Sequence, residues 1–420
     1  MLGEELHGLI AKLYPLCRSI TGDGLRATLR GLSELAPLQL SEVPSGTPAL
    51  DWTVPPEWNI RDAYVKDASG ARIIDFRKSN LHVVNYSVPV RTKLQLPELR
   101  KHLHSLPGRP DWIPYRTSYY EPSWGFCLPH AQLTALADGE YEVCIDSTLQ
   151  PGHLTYGEAI VQGELDDEIL ISAHVCHPSL ADDNLSGAVI AAALARHFAG
   201  KKPRHTLRFV FAPGTIGAIV WLSRNRETAQ RIKHGLTLTC LGDSHPFTYK
   251  KTLSGKAPVD RALAHVLRAK EHQLIDFFPY GYDERQYNSP GFRLPVGSLM
   301  RGRHGMFPEY HTSGDDLSFV KPERLAESFE VLRTAIEVLD GDRRYKNLEP
   351  FGEPQLGKRG LYRAMGGTSI PDLQFAMLWV LNLSDTEHSL LDVAERAQLP
   401  FASVKAAADL LLGHGLLVAL

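Results

Sequence analysis

AHVCHPSLADDNLSGAVIAAALAR, residues 173–196, decides the fold. The run leading into it, DDEILISAHV (166–175), ends in consecutive apolar and β-branched residues, the pattern of a strand covered on both faces. The run leaving it, LSGAVIAAALARHFAG (185–200), predicts a helix, and Asn184 or Ser186 stands ready to cap it. HTLRFVFAP (205–213) and GLTLTCLGD (235–243) repeat the strand pattern. Strands alternating with helices predict an α/β domain: a mostly parallel, mixed sheet flanked by helices.

On the amino-terminal side, residues 2–14 read as an amphipathic helix ended by Tyr14-Pro15, and a second helical stretch follows the turn Thr21-Gly22-Asp23-Gly24. From about 40 to 130 the texture changes to short β-branched and aromatic runs broken by Pro and Gly, such as LHVVNYSVPV and PYRTSYYEPSWGFCL. On the carboxyl-terminal side, Arg343 to Gly367 is rich in Gly, Pro and basic residues and reads as a connector. Beyond it, SLLDVAERAQL and FASVKAAADLLLGHGLLVAL are spaced as helix, turn, helix and strand, which predicts a winged helix-turn-helix. The expected organisation is an α/β domain over 1–39 and 131–345, an inserted β-rich domain over 40–130, and a connector with the winged helix over 346–420.

Composition removes several function classes. With 43% hydrophobic residues and a net charge of −3, the chain can bury large cores and has no overall attraction for polyanions. From Pro371 onward six acidic residues face two basic ones, so the winged helix is expected to contact protein, a partner or a second copy, rather than nucleic acid. No apolar run approaches the roughly 18 residues that span a bilayer, and MLGEELHGLIAKLYPL lacks the basic start of a signal peptide. Cys17, Cys127, Cys144, Cys176 and Cys240 are odd in number and scattered, which suits a reducing cytoplasm.

The residues able to do chemistry gather at predicted strand ends, where open α/β sheets bind ligands. His174 ends one strand, and Asp183 follows nine residues later, just before the helix. Asp243 ends GLTLTCLGD, and His311 lies in the polar loop PEYHTSGDD (308–316). Imidazole nitrogen and carboxylate oxygen are zinc donors, so these four form a candidate metal cage. Taken singly, each also reads as a hydrogen-bonded structural residue or a helix cap.

AHVCHPSLADDNLSGAVIAAALAR and YHTSGDD (310–316) resemble the signature of the zinc aminopeptidases. That resemblance implies His174 as one zinc ligand, Asp183 as a carboxylate shared between two metals, Asp243 as a further ligand and His311 as ligand of the opposite metal. YPLCRSITGDGLR, SNLHVVNYSVPV, PGTIGA and YDERQY together resemble the bacterial aminopeptidase-like-domain family, which implies the inserted β domain and the terminal winged helix.

The departures shape the functional expectation. Where those aminopeptidases carry a Glu-Glu pair, RFVFAPGTIGA (208–218) offers Gly214 and Thr215, and Cys176 replaces the aspartate that orients the first histidine. One zinc is therefore expected on His174, Asp183 and His311 with Asp243 in reserve, two being the alternative. A replacement base is sought at Glu284, in PYGYDERQYNSPGF (279–292), or at Glu309. His177 reads as an additional ligand, a proton donor or a structural residue. Arg18 and Arg116 read either as anchors for a substrate carboxylate or as structural arginines, and Cys176 as an alternative nucleophile. The expected activity is zinc-dependent hydrolysis of an amide, in a peptide-like or small biosynthetic substrate; the alternative is a binding module that has lost catalysis.

Overall fold

The computed structural model describes residues 1–361 and 372–420. Residues 362–371, which include the end of the expected connector and Pro371, lie outside them. The chain divides into one unit of residues 1–260 and 267–331 and another of 261–266 and 332–420.

The first unit is built on an eight-stranded mixed sheet in the order Gln39–Pro44, His153–Val161, His205–Ala212, Leu165–His174, Ile232–Leu238, Val296–Met300, Phe247–Lys250, His272–Ile275. The strands from His205–Ala212 to Val296–Met300 run parallel, and the pairings on the outer side of each end strand of that block are antiparallel. The carboxyl ends of four neighbouring strands therefore open on one edge, and His174 stands there opposite Ala212.

The helix Gly187–Phe198 packs on this sheet, and only Arg196 and His197 along it reach solvent. Its all-round burial explains its all-round apolar sequence, since no face needs to be polar. The amino-terminal helix is Leu2–Leu13, with Leu6, Leu9, Ile10 and Leu13 on its buried side.

A second, antiparallel sheet lies within the same unit, in the order Arg72–Asp75, Glu57–Lys66, Glu140–Gln150, Val90–Gln95. It has its own apolar core, including Val65, Ile74, Leu99, Phe126, Val143 and Ile145. Its central strand, Glu140–Gln150, was read on sequence with the α/β domain, whereas Gln39–Pro44 belongs to the large sheet. Alternating burial identifies a strand but not its neighbour, so both edges of the insertion shift.

In the second unit, Asp385–Ser389, Arg344–Asn347 and Leu417–Ala419 form a small antiparallel sheet beside three helices, Asp372–Leu383, Leu390–Ala397 and Phe401–Gly413. Ser389 and Asp392 cap the middle helix reciprocally. Gln398 in the left-handed region ends that helix and starts the turn into the next. Arg344–Asn347, read as the start of the connector, is the central strand. Its buried Tyr345 sits in a polar run too short to show a period. No described helix is long and apolar enough to cross a membrane.

Candidate metal centre

Local chemistry brings His174 and Asp183 together. Beyond the strand, Ala181–Ser186 make an irregular turn in which Asp183 and Asn184 leave helical geometry. Asp315 holds that turn: its Oδ1 accepts from the amides of Ala181 (3.1 Å) and Asp182 (2.6 Å), and its Oδ2 accepts from that of Asp183 (2.9 Å). Asn184 ties the turn to the sheet, donating to Leu238 O (2.8 Å) and His174 O (3.3 Å) while accepting from Gly187 N. A Cβ at Gly187 would lie 2.4 Å from Asn184 Oδ1 and 2.7 Å from Leu238 O, so the Asn-Leu-Ser-Gly segment admits only glycine there.

The carboxylate of Asp183 is the hub. Its Oδ1 lies 2.9 Å from His174 Nε2 and its Oδ2 lies 3.0 Å from His311 Nε2. His177 joins them, with ligand atoms of His174, His177 and Asp183 all within 4.8 Å of one another. Asp183 Oδ2 and His311 Nε2 are both buried and pair at 3.0 Å outside hydrogen-bond geometry. Imidazole and carboxylate atoms gathered in this way are groups that could hold a metal ion.

The electrostatics agree with that donor set. Burial works to raise the Asp183 pKa, but His177, His174 and His311 hold it well below the ordinary carboxylate range. Burial pushes His177 well down, against the pull of Asp183, which favours the neutral imidazole that a metal needs. His311 reaches the hub with φ of +54°, a left-handed conformation that costs a non-glycine residue about 1 kcal/mol or more. The amide of Tyr115 fixes it, donating to His311 O at 2.8 Å.

Aromatic rings wall the cluster. Tyr282 stacks on His174 at 3.6 Å between centroids, Tyr310 stacks on His311 at 4.0 Å, and Tyr115 meets both His177 and His311 edge-on. Tyr282 also fills the space beside Gly214, where a Cβ would lie 2.1 Å from the phenol oxygen. Its hydroxyl stands 3.4 Å from His177 Nε2 and 3.6 Å from Cys176 Sγ. Next to it, Asp283 Oδ1 accepts from the amide of Thr215 at 2.7 Å. Burial raises this carboxyl to about 6, against the opposing pull of His174.

The remaining sequence candidates are placed otherwise. Asp243 takes no part in the cluster: Oδ1 accepts from His245 N (2.6 Å) and sits 2.7 Å from His245 Nδ1, and Oδ2 accepts from Gly302 N (2.9 Å). Glu284 is fully buried in an ion pair with Lys250 and accepts from Tyr282 N, so its charge is neutralised away from the hub. Glu309 instead lines a cavity of about 620 Å³ with Trp112, His245, Asp316 and Phe319, beside the loop that carries His311.

Arg18 is buried, donating from Nε to His177 O and from Nη1 to Leu13 O, so it braces the loop of His177. Arg116 is exposed and turned toward His104. Burial pushes the Cys176 thiol up to about 12, which keeps it protonated and opposes a nucleophilic role. His177, Asp315, Tyr282 and Asp283 are the residues that sequence reasoning underweighted or missed.

A mixed sheet with a histidine and aspartate cluster at its carboxyl edge defines an aminopeptidase-like α/β protein with a terminal winged helix. The chain belongs to the family described as "Domain of unknown function (DUF4910)", whose model matches residues 7–342, and a winged helix-turn-helix model matches 343–419. A protein of Clostridium acetobutylicum, described as a polysaccharide biosynthesis protein with an aminopeptidase-like domain, is 49% identical over 412 residues, 97% of this chain and 95% of that one. A crystal structure from the same species, described as a peptidase, superposes with a TM-score of 0.94 at 47% identity, covering 100% and 96% of the two chains. A zinc aminopeptidase of Bacillus subtilis shares the fold at 12% identity, with a TM-score of 0.57 and coverage of 80% and 95%.

Proposed function

We propose that this chain is a cytoplasmic hydrolase with one zinc ion, held by His174, His177, Asp183 and His311, that cleaves an amide bond in a peptide-like or biosynthetic intermediate. The observation that carries the reading is the convergence of two imidazoles on one buried carboxylate, His174 Nε2 at 2.9 Å from Asp183 Oδ1 and His311 Nε2 at 3.0 Å from Asp183 Oδ2, with His177 beside them. Imidazole and carboxylate are zinc donors, and zinc expanded to five-coordinate would keep a position for water beside this set of four. Zinc bound there supplies a Lewis acid for the amide carbonyl and an acidified water.

The chain's own residues do the rest. Tyr115, Tyr282 and Tyr310 orient the imidazoles by packing, and Asp315 pins the turn that carries Asp183. The cavity lined by Glu309, Ser313 and Gly314 runs along the His311 loop, and none of the four proposed ligands lines it. The relative's description points toward polysaccharide biosynthesis, which favours an acylamino sugar or a related amide over a general peptide. Five unpaired thiols suit a reducing compartment. The acidic winged helix suits a protein contact.

A second reading, a binding module without catalysis, draws on Gly214 and Thr215, which put no carboxylate where the aminopeptidases have two. Zinc-loaded protein assayed against aminoacyl amides and acylamino sugars separates them. The hydrolase reading expects turnover that is lost in His174→Ala together with the metal. No turnover on any substrate, with a partner co-purifying through residues 372–420, gives the second reading.

A further inference from the structure

The strand-end loop after His205–Ala212 carries Gly214 and Thr215 and no acid, yet a carboxylate does arrive there from another part of the chain. Asp283 precedes the short helix Glu284–Tyr287, and its Oδ1 takes the amide proton of Thr215 at 2.7 Å. The neighbouring Tyr282 covers His174 at 3.6 Å and reaches within 3.4 Å of His177 Nε2. Thr215 holds φ of +62° where its amide meets that carboxylate. The amide of Gly214 is taken by Cys176 Sγ at 3.2 Å, so the loop, the segment of Cys176 and His177, and the segment of Tyr282 and Asp283 are laced together around the hub.

We propose that Asp283 is the proton-transferring carboxylate of this site, supplied from a different loop in place of the missing glutamate. The proposal rests on the hydrolase reading above. As the oxygen of a water adds to the amide carbon, Asp283 takes one of its protons. As the carbon–nitrogen bond breaks, the same proton passes to the amine nitrogen, leaving one carboxylic acid and one amine. Its Oδ2 does the exchange, while the bond from Thr215 holds Oδ1. Glu284, one residue on, is neutralised by Lys250, and Glu309 lies on the cavity side of the His311 loop, so neither shares the position of Asp283.

The test uses zinc-loaded full-length protein and acetohydroxamate, a small chelating acid that binds zinc as its anion and is held more tightly where a nearby carboxylate takes up its hydroxyl proton. Zinc per chain and the dissociation constant of acetohydroxamate are measured for the wild type, Asp283→Asn, Asp283→Glu and Glu309→Gln. The expected result is unchanged zinc in all four, affinity weakened about tenfold or more in Asp283→Asn, partial recovery in Asp283→Glu, and no change in Glu309→Gln.

Asp283→Asn that matches the wild type, whether or not either binds the probe, overturns the assignment and leaves the hydrolase reading standing. Loss of zinc from Asp283→Asn also overturns it, making Asp283 a ligand or a prop. If the loss of affinity falls on Glu309→Gln instead, the carboxylate is Glu309. A wild type that holds no zinc removes the hydrolase reading itself.

Discussion

Replacing Gly214 by alanine puts a methyl carbon 2.1 Å from the Tyr282 hydroxyl, 2.2 Å from Cε1 and 2.5 Å from Cζ. All three are far inside van der Waals contact, so Tyr282 must move. It is not free to do so: its ring stacks on His174 at 3.6 Å and its hydroxyl faces Cys176 and His177. Overpacking of this kind costs about 1–3 kcal/mol. A unit of 325 residues has an unfolding entropy of about 0.7 kcal/mol/K, so each kcal/mol lowers Tm by about 1.5 °C and a fall of about 1.5–4.5 °C is expected by calorimetry.

A double-mutant cycle sharpens the prediction. Tyr282→Phe leaves Cε1 and Cζ in place and should not rescue Gly214→Ala, whereas Tyr282→Ser removes all three clashing atoms. Gly214→Ala should then cost almost nothing in the Tyr282→Ser background, giving a coupling of about 1–3 kcal/mol. Gly214→Ala within about 0.5 kcal/mol of the wild type, or an equal cost in both backgrounds, refutes the claim that Tyr282 occupies this space.

Two further perturbations probe the frame. Lys250→Met strips the partner from the buried Glu284 and should cost about 3–5 kcal/mol in urea unfolding, most of it recovered by adding Glu284→Leu. Glu57 is held down to about 2, chiefly by Arg26 at 2.5 Å, against the opposing effect of burial and with help from the amide of His153. Its folded pKa lies below the ordinary value of 4.5, so the stabilisation is present above that value and is lost as pH falls toward 2. Thermal melts from pH 6 to pH 3 should therefore fall less steeply for Glu57→Gln than for the wild type.

What could be read from the sequence was local. A strand followed by a polar loop and a helix marks His174 and Asp183, because strand ends and helix starts carry signals within a few residues, and the structure brings the pair to 2.9 Å. Side-chain direction in irregular segments carries no such signal. His177 lies in the loop just past its strand, and nothing in HVCHPS says which way its ring turns. In the run Tyr282-Asp283-Glu284, the neighbouring acids differ in fate by one residue: Asp283 bonds to Thr215 while Glu284 turns to Lys250. Asp243 ends a strand just as His174 does, yet His245 and Gly302 claim both its oxygens. The same limit applies to strands, since the pattern of Glu140–Gln150 is plain but its choice of the smaller sheet depends on partners distant in the chain.

The most direct test of the account is X-ray absorption at the zinc edge with elemental analysis, on protein purified without chelator, for the wild type, His174→Ala and His177→Ala. The account predicts one zinc per chain in the wild type with three imidazoles and a carboxylate around it, loss of the metal in His174→Ala, and weaker retention with one imidazole fewer in His177→Ala. Two zinc ions per chain, equal zinc in all three proteins, or a ligand shell unchanged by His177→Ala would contradict it.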